Sequence, residues 1–242
     1  MNLRSFIKNL APEIVKEYYT SWKYSKNKSF YHQKSTKEVF TQIFTHNSWG
    51  DHESKSGIGS SGNHPNNALK AIETVTNEFN IHSILDIPCG DFNWMKKMNL
   101  RSIKYTGADI VEELIKDNRL AYAASNIQFT TLNLIKDELP GSDLIIIRDC
   151  FVHFSYKDIF SSVSSIKKSN SNYLLTTTFN DLKINYDITT GDWRPINLCR
   201  KPFNFPNPIR IFEESVEEKH KNEFKGKALA LWKIEDLKIK TQ

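Results

Sequence analysis

The stretch that most constrains this chain runs from His82 to Trp94 and has the sequence HSILDIPCGDFNW. An apolar run that ends in Asp86 and continues into a Pro-Cys-Gly-Asp turn is typical of a buried strand that leads into a tight loop before a helix. Open α/β sheets bind nucleotides at such strand ends. Because Gly90 has no Cβ, its backbone can approach a ligand closely, so we expect a nucleoside-like ligand at this turn.

Strands and helices alternate from residue 82 to residue 179, which is the pattern of an α/β protein with a doubly wound, mostly parallel sheet. The expected second to fifth strands are residues 104–110, 127–134, 143–149 and 173–179. The run at 143–149 is apolar at consecutive positions, as a central parallel strand must be. Two β-like runs, at about 209–216 and 227–234, are expected to close the sheet as a hairpin.

Two further regions extend this α/β pattern. Residues 1–48 predict a helical appendage to a main domain of residues 49–242, because apolar residues recur at helical spacing. These apolar residues are Leu3, Phe6, Ile7, Leu10, Ile14, Val15, Tyr18, Tyr19, Val39, Phe40, Ile43 and Phe44. The appendage could form a homodimer, cover an active site or only pack against the main domain. Residues at about 180–210 hold prolines, amides and aromatic residues with no period, which predicts a substrate-binding insertion.

The composition excludes several classes of protein. No apolar run is long enough to cross a bilayer and no N-terminal apolar block has a cleavage site, so we expect a cytoplasmic protein. Three widely spaced cysteines, Cys89, Cys150 and Cys199, show no zinc-binding spacing and suit a reducing compartment. The net charge of +5 comes from lysines scattered among 28 acids, which gives no strong signal for nucleic acid but allows an anionic small molecule.

Two other stretches indicate how a nucleoside would be held. Asp109 ends the second strand about twenty residues beyond the first motif, where an acid accepts hydrogen bonds from both ribose hydroxyls. The alternative for Asp109 is a helix cap before Val111. Residues 47–62, called the lid segment below, mix glycines and hydroxyls whose free N–H groups can hold a carboxylate. We expect the lid segment to cover the ligand through Ser56 and Gly57, with a plain linker as the alternative.

The strand-and-turn motif, the order of elements and the acid after the second strand resemble class I methyltransferases dependent on S-adenosylmethionine (SAM). Their Rossmann-like sheet has seven strands, and the resemblance covers about residues 47–236. Pro88 and Phe92 stand where the outer glycines of that family's first motif usually lie. They disfavour a dinucleotide, and therefore the first competing class, an NAD(P)-dependent oxidoreductase. A non-catalytic nucleotide-binding module is a further alternative.

The resemblance implies SAM as cofactor and S-adenosylhomocysteine (SAH) as product. The amide of Asn133 would meet the adenine amino group, and Leu132 and Leu134 would enclose the ring. The turn after the first strand would face the methionine end. The residues expected to bind SAM are Ser56, Gly57, Asp86, Pro88, Cys89, Gly90, Asp91, Trp94, Asp109, Ile110, Asn133, Leu134 and Arg148.

The residues after the fourth strand suggest the chemistry. Asp149 and His153 lie where class I enzymes keep their catalytic groups, and an imidazole needs no large pKa shift to act as a base near neutral pH. We therefore expect His153 to be the general base, supported by Asp149, with Arg148 fixing Asp149 or binding an anion. An alternative is a magnesium site formed by Asp149, Asn180 and Asp181, although no metal is expected.

The acceptor is suggested by residues 185–198. Amides and carboxylates bind sugar hydroxyls through paired hydrogen bonds, and an indole face stacks on a pyranose. The residues expected to bind the acceptor are Trp49, Glu53, Asn185, Asp187, Trp193, Arg194 and Asn197. Turn formation and packing would explain the same residues without a ligand.

The motifs at residues 49–57, 85–94, 107–110, 148–153 and 191–198 are together similar to a family of uncharacterised bacterial and viral methyltransferases. Some of its relatives are linked to glycan or capsule modification. The similarity implies O-methylation of a sugar hydroxyl, on a glycan or a nucleotide sugar. Methylation of another small molecule or of RNA is the alternative.

Overall fold

A computed structural model describes residues 30–214 and 224–238, together with the single exposed residue Val15. The apolar positions predicted between Leu3 and Tyr19 therefore lie, apart from Val15, outside the described residues. Homodimer formation through that segment stays a prediction.

The described residues form one seven-stranded sheet with the order β3-β2-β1-β4-β5-β7-β6. The strands are β1 (Ser83–Asp86), β2 (Lys104–Asp109), β3 (Ile127–Thr131), β4 (Leu144–Ile147), β5 (Tyr173–Phe179), β6 (Arg210–Glu213) and β7 (Lys227–Lys233). The strands β1 to β5 are parallel to one another, whereas β7 is antiparallel to both β5 and β6. The predicted sheet and its closing hairpin are thus confirmed, with β7 placed between β5 and β6.

Within residues 30–214 and 224–238, four α-helices accompany the strands: α1 (Thr36–Thr45), α2 (Asn66–Glu78), α3 (Glu112–Tyr122) and α4 (Tyr156–Lys168). Ser155 caps α4 by accepting a hydrogen bond from the Asp158 N–H at 3.2 Å, which satisfies one of the free donors of the first turn. No helix among residues 30–214 and 224–238 combines the length and apolar content needed to cross a membrane.

The helix expected directly after the glycine turn is absent from residues 87–103, which the structure describes in full. A short 3-10 helix at Met95–Lys97 takes its place. Phe92 has a φ of 58°, which an α-helix cannot contain, and its ring lies 5.3 Å from the ring of Tyr105 and 5.2 Å from that of Phe129. The turn therefore buries Phe92 in the core and does not continue as a helix.

Two apolar clusters cover the two faces of the sheet. One cluster contains α4 and residues from the 180–210 insertion, and the other contains α2 and α3. Phe44 of α1 is buried in the second cluster, while Val39 and Ile43 are buried on the same helix. The final part of the predicted appendage therefore packs against the sheet domain and belongs to its core.

Candidate functional site

A cavity of about 330 Å³ lies where the carboxyl ends of β1, β2 and β4 meet. Its floor comes from the residues that follow these strands, and its cover comes from the lid segment and α1. The chain order reverses between β1 and β4, which is where open α/β sheets bind their ligands. Eleven of the residues expected to bind SAM line it: Ser56, Gly57, Pro88, Cys89, Gly90, Trp94, Asp109, Ile110, Asn133, Leu134 and Arg148.

The lid segment is in direct contact with the glycine turn. The Asp91 N–H donates to Ser56 Oγ at 3.0 Å, and a Cβ added to Gly90, whose φ is 55°, would clash with the same hydroxyl. Only glycine combines this backbone conformation with so close an approach. Residues 54–60 are therefore part of the cavity wall rather than a linker.

Asp91 was expected to bind the cofactor but instead holds the lid segment. Its carboxylate accepts hydrogen bonds from Ser54 Oγ at 2.9 Å and from the Lys55 N–H at 3.0 Å. The side chain does not line the cavity. A carboxylate with several local N–H and O–H donors stabilises a loop. Asp91 therefore lies at the predicted turn, but its side chain holds the lid segment and does not face the cavity.

Asp109 lines the cavity and is 6% exposed. Its carboxylate accepts hydrogen bonds from the Val111 N–H at 3.0 Å and the Gly90 N–H at 3.3 Å. Because α3 begins at Glu112 and its N-cap residue is Val111, Asp109 is not the helix cap that the alternative predicted. Burial raises its pKa to about 6, although these backbone donors act in the opposite direction. Each carboxylate oxygen has two acceptor sites, so Asp109 can still accept from a ligand hydroxyl.

Asp86 lies beneath the cavity and does not line it, contrary to the expected ligand contact. The side chain is 1% exposed and accepts a hydrogen bond from the Tyr105 hydroxyl at 2.6 Å. Its other carboxylate oxygen has no hydrogen-bond partner among the described residues. Burial raises the pKa of Asp86 to about 7, and the Tyr105 hydrogen bond opposes that rise.

Asn133 lines the cavity between Leu132 and Leu134, as the sequence predicted. Its Oδ1 accepts a hydrogen bond from the Ile135 N–H at 2.9 Å. One acceptor site on that oxygen stays available for a ligand amine.

Four charged side chains form a network on the other side of the cavity. Arg148 donates to Glu214 through Nε at 2.9 Å and Nη2 at 2.7 Å, and through Nη1 to the Gly59 carbonyl at 2.9 Å. Lys227 Nζ lies 2.8 Å from Asp149 Oδ2 and 3.1 Å from Glu214 Oε2. Burial alone would raise the pKa of Asp149, but Lys227 and Arg148 outweigh it and hold that pKa well below its usual range.

Sequence reasoning missed Glu214 and Lys227. Glu214 directly follows β6 and Lys227 is the first residue of β7. Both are far in sequence from Arg148 and Asp149. The one available signal was a lysine directly before the apolar run ALALW at 228–232. Thr36, Phe40 and Phe44 of α1, together with Phe224, were also missed as lining residues.

His153 ends the 3-10 helix Phe151–His153 and lines the cavity. Its Nδ1 lies 3.0 Å from the Asp192 carbonyl oxygen, and the Trp49 ring packs with its centroid 5.2 Å from the imidazole. Burial lowers the pKa of His153 to about 4, despite the Asp192 hydrogen bond, so the ring is neutral near pH 7. Asp149 was expected to support His153, but its carboxylate pairs with Lys227 at 2.8 Å, and the Asp192 carbonyl is the hydrogen-bond partner of the imidazole.

Only two of the seven residues expected to bind the acceptor, Trp49 and Trp193, line the cavity. The other five hydrogen-bond within the protein: Glu53 with Asn93 and Gly62, Asn185 with Asn197 and Lys201, Asp187 with Tyr156 and Ile188, Arg194 with Tyr186, Phe151 and Phe154, and Asn197 with Asn180 and Leu182. The turn-and-packing alternative accounts for these five.

Of the three possible magnesium ligands, Asp149 has its carboxylate engaged in an ion pair. Asp149 is paired with Lys227, while the backbone of Asn180 donates to the Gly226 carbonyl at 2.9 Å and Asp181 packs on Gly226. Among the residues that the structure describes, no three histidine, cysteine or acidic side chains lie together as metal ligands.

No family model matches the chain, and no curated protein matches it. Solved structures do: "PigF with SAH" has a TM-score of 0.60 at 12% identity, over 95% of this chain and 72% of that one. The N-methyltransferase NodS from Bradyrhizobium japonicum WM9 with SAH has a TM-score of 0.57 at 9% identity, over 80% and 97%. Magnesium protoporphyrin IX methyltransferase (ChlM) from Synechocystis PCC 6803 with SAM has a TM-score of 0.54 at 14% identity, over 83% and 97%. The chain therefore has the class I methyltransferase fold.

Proposed function

We propose that this protein is a SAM-dependent methyltransferase that binds SAM in the cavity at the ends of β1, β2 and β4. The observation that carries this proposal is that Gly90 and Asp109 open onto the same cavity as His153. One enclosed space thus joins a nucleoside-binding corner to a candidate base. Structural neighbours that were solved with SAM or SAH support the choice of ligand.

The lining residues suit the parts of SAM. The Asp109 carboxylate would accept from the ribose hydroxyls, Asn133 would meet the adenine, and Trp94 with Arg148 would face the methionine end. When bound, SAM supplies an electrophilic methyl group on a sulfonium, which is a good leaving group. The protein must then align the acceptor and accept one proton.

His153 is the proposed general base. The acceptor oxygen forms a bond to the methyl carbon, the carbon–sulfur bond breaks, and the hydroxyl proton passes to His153. Because burial keeps the imidazole neutral, it is in the proton-accepting form across the physiological range. The Asp149 carboxylate, held ionised by Lys227, favours the protonated imidazole through space without a direct hydrogen bond.

The proposed acceptor is a sugar hydroxyl. Trp49 and Trp193 bring indole rings to the cavity, and the Glu214–Lys227 pair brings polar groups to the same wall. Glu214 Oε2 is buried and lies 3.1 Å from Lys227 Nζ, so this oxygen is already paired within the protein. Indole faces beside paired polar groups match a pyranose. The amides at 185 and 197, which first suggested a sugar, no longer support it.

Free thiols at Cys89 and Cys150 support a reducing, cytoplasmic setting.

Calorimetry tests the cofactor. Wild-type protein should bind SAM and SAH but not NAD(P), and Asp109→Ala should weaken SAH binding by roughly 10- to 100-fold, because it removes a charged hydrogen-bond acceptor. The matched control Glu113→Gln, on the exposed side of α3, should leave the affinity unchanged. Absence of heat with both SAM and SAH would overturn the proposal.

The acceptor is tested with methyl-labelled SAM and a panel of nucleotide sugars and small phenols. Label should reach a sugar, and His153→Gln should reduce transfer by roughly 100-fold or more, as expected for loss of a general base. Transfer only to phenols would reject the sugar and keep the enzyme class.

A further inference from the structure

The turn at residues 190–194, called the brace below, is tied to the backbone on both sides of His153. The Gly191 N–H donates to the His153 carbonyl at 2.8 Å, and the Arg194 N–H donates to the Val152 carbonyl at 3.0 Å. A motif that the sequence suggested for acceptor binding therefore supports the loop that carries the candidate base.

Arg194 is fully buried, with 0% exposure. Its Nη1 donates to the Phe151 carbonyl at 2.6 Å and its Nη2 to the Phe154 carbonyl at 2.8 Å, while Nε reaches the Tyr186 carbonyl at 3.2 Å. No acidic side chain among the described residues forms an ion pair with it. A buried cation without an acid is costly, so three carbonyls must hold it, and two of them flank His153.

The brace also determines which ring nitrogen of His153 carries the proton. A carbonyl oxygen only accepts hydrogen bonds, so the Nδ1 that lies 3.0 Å from the Asp192 carbonyl must be the N–H donor. In the neutral ring, Nε2 then keeps its lone pair. No described residue donates a hydrogen bond to Nε2, which leaves it free for a proton from a ligand.

The brace packs closely against Tyr31 and against Val39 of α1. Gly191 has a φ of 107°, and a Cβ there would lie 2.6 Å from atoms of both Tyr31 and Val39. Trp193, the next residue but one, lines the cavity. A single turn thus contacts α1, forms part of the acceptor wall and holds the base.

We propose that Arg194 is a positioning residue that, with the Asp192 carbonyl, fixes His153 as the Nδ1–H tautomer and presents Nε2 to the methyl acceptor. This inference rests on the proposed function for the role of Nε2. The arrangement lets one rigid turn set the distance between the acceptor wall at Trp193 and the base.

Long-range ¹H–¹⁵N spectra of histidine-labelled full-length protein test the tautomer, with His153→Gln used to assign its signals. Other groups around the ring are Asp149, Lys227 and Trp49, and none of them changes in the variants compared. Wild type should show only Nδ1–H at His153 from pH 6 to 8. Arg194→Met should give a mixture of tautomers, Arg194→Lys a smaller change, and the exposed Arg200→Met none.

An Nε2–H ring in the wild type would overturn the inference, and so would a folded Arg194→Met or Arg194→Lys protein with an unchanged tautomer. If Arg194→Met does not fold, the wild-type and Arg194→Lys spectra decide. SAH affinity in Arg194→Lys should stay within twofold of wild type, while kcat for transfer falls roughly 10-fold or more as the base loses alignment. Failure of SAH to bind the wild type would reject the methyltransferase, yet the spectra would still test the brace.

Discussion

Two pairs of acids, at the cavity or beneath it, lie in opposite electrostatic settings. Asp86 and Asp109, at the ends of β1 and β2, have raised pKa values and no cation in contact. Asp149 and Glu214, on the other side, share Arg148 and Lys227 at distances of 2.7 to 3.6 Å. Burial raises the pKa of Asp86 and of Asp109, whereas the cations beside the partly exposed Asp149 hold its pKa well below its usual range.

The difference separates acids that can respond to a ligand from acids that serve as fixed charges. A carboxylate without a cation gains from the donors of an incoming ligand, as ribose hydroxyls would provide at Asp109. A carboxylate that is already paired with lysine and arginine gains little from such donors. Asp109, which lines the cavity, should therefore influence ligand binding, whereas the ion-paired acids should contribute to stability and Asp86 should make stability depend on pH.

The largest expected effect breaks the paired side. Lys227→Met leaves Arg148 facing the buried Glu214 and the partly exposed Asp149, and breaking this largely buried network should lower the free energy of unfolding by roughly 3–5 kcal/mol. Urea denaturation near pH 7 measures it. Lys233→Met on the same strand is the control, because its pair with Glu235 is exposed at 3.6 Å and should contribute under about 1 kcal/mol. Equal effects of the two variants would contradict the comparison.

The next effect concerns Asp86. Its folded pKa of about 7 lies above its ordinary value of 3.8, so the wild type loses stability as the pH rises through that interval. Asp86→Asn does not titrate, and its stability relative to wild type should improve by roughly 2–4 kcal/mol from pH 4 to pH 8, since each pKa unit corresponds to about 1.4 kcal/mol. Denaturation at both pH values measures this. Tyr105→Phe should enlarge the wild-type pH dependence, and a flat difference for Asp86→Asn would contradict the assignment.

The smallest effect concerns the pH dependence of cofactor binding. If the ionised Asp109 accepts from the ribose, SAH affinity should fall roughly tenfold, or about 1.4 kcal/mol, as the pH drops from 7.5 to 5. The folded pKa of about 6 places this loss within that window. Calorimetry at several pH values should show the loss in Asp86→Asn and His64→Gln as well, but not in Asp109→Asn. Persistence of the slope in Asp109→Asn would assign it to another group.

The sheet and the nucleoside corner could be predicted because their signals are local. Strand periodicity, the glycine at position 90 and an acid at the end of β2 each depend on a few adjacent residues. Parallel topology then brings these strand ends together without further information. The prediction of a helix directly after β1 was wrong because Phe92 enters the core in a left-handed backbone conformation, which no local sequence pattern indicated.

The acceptor side could not be predicted because its contacts are distant in the chain. Lys227 meets Asp149 across 78 positions, and Glu214 meets Arg148 across 66. The sequence also shows only that a loop contains an asparagine or an arginine, and not whether its side chain binds a sugar or a backbone carbonyl. Asn185 and Arg194 bind carbonyls, and only the packed structure distinguishes the two uses.

The insertion of β7 between β5 and β6 has a consequence for how the protein is made. During synthesis from the N-terminus, Arg148 and Asp149 emerge long before Glu214 and Lys227, and the edge of β5 stays unpaired until β7 has left the ribosome. The nucleoside corner can assemble on the nascent chain, whereas the charge network is completed last. A nascent chain halted before residue 227 would therefore carry an open sheet edge, which is a template for pairing with other chains.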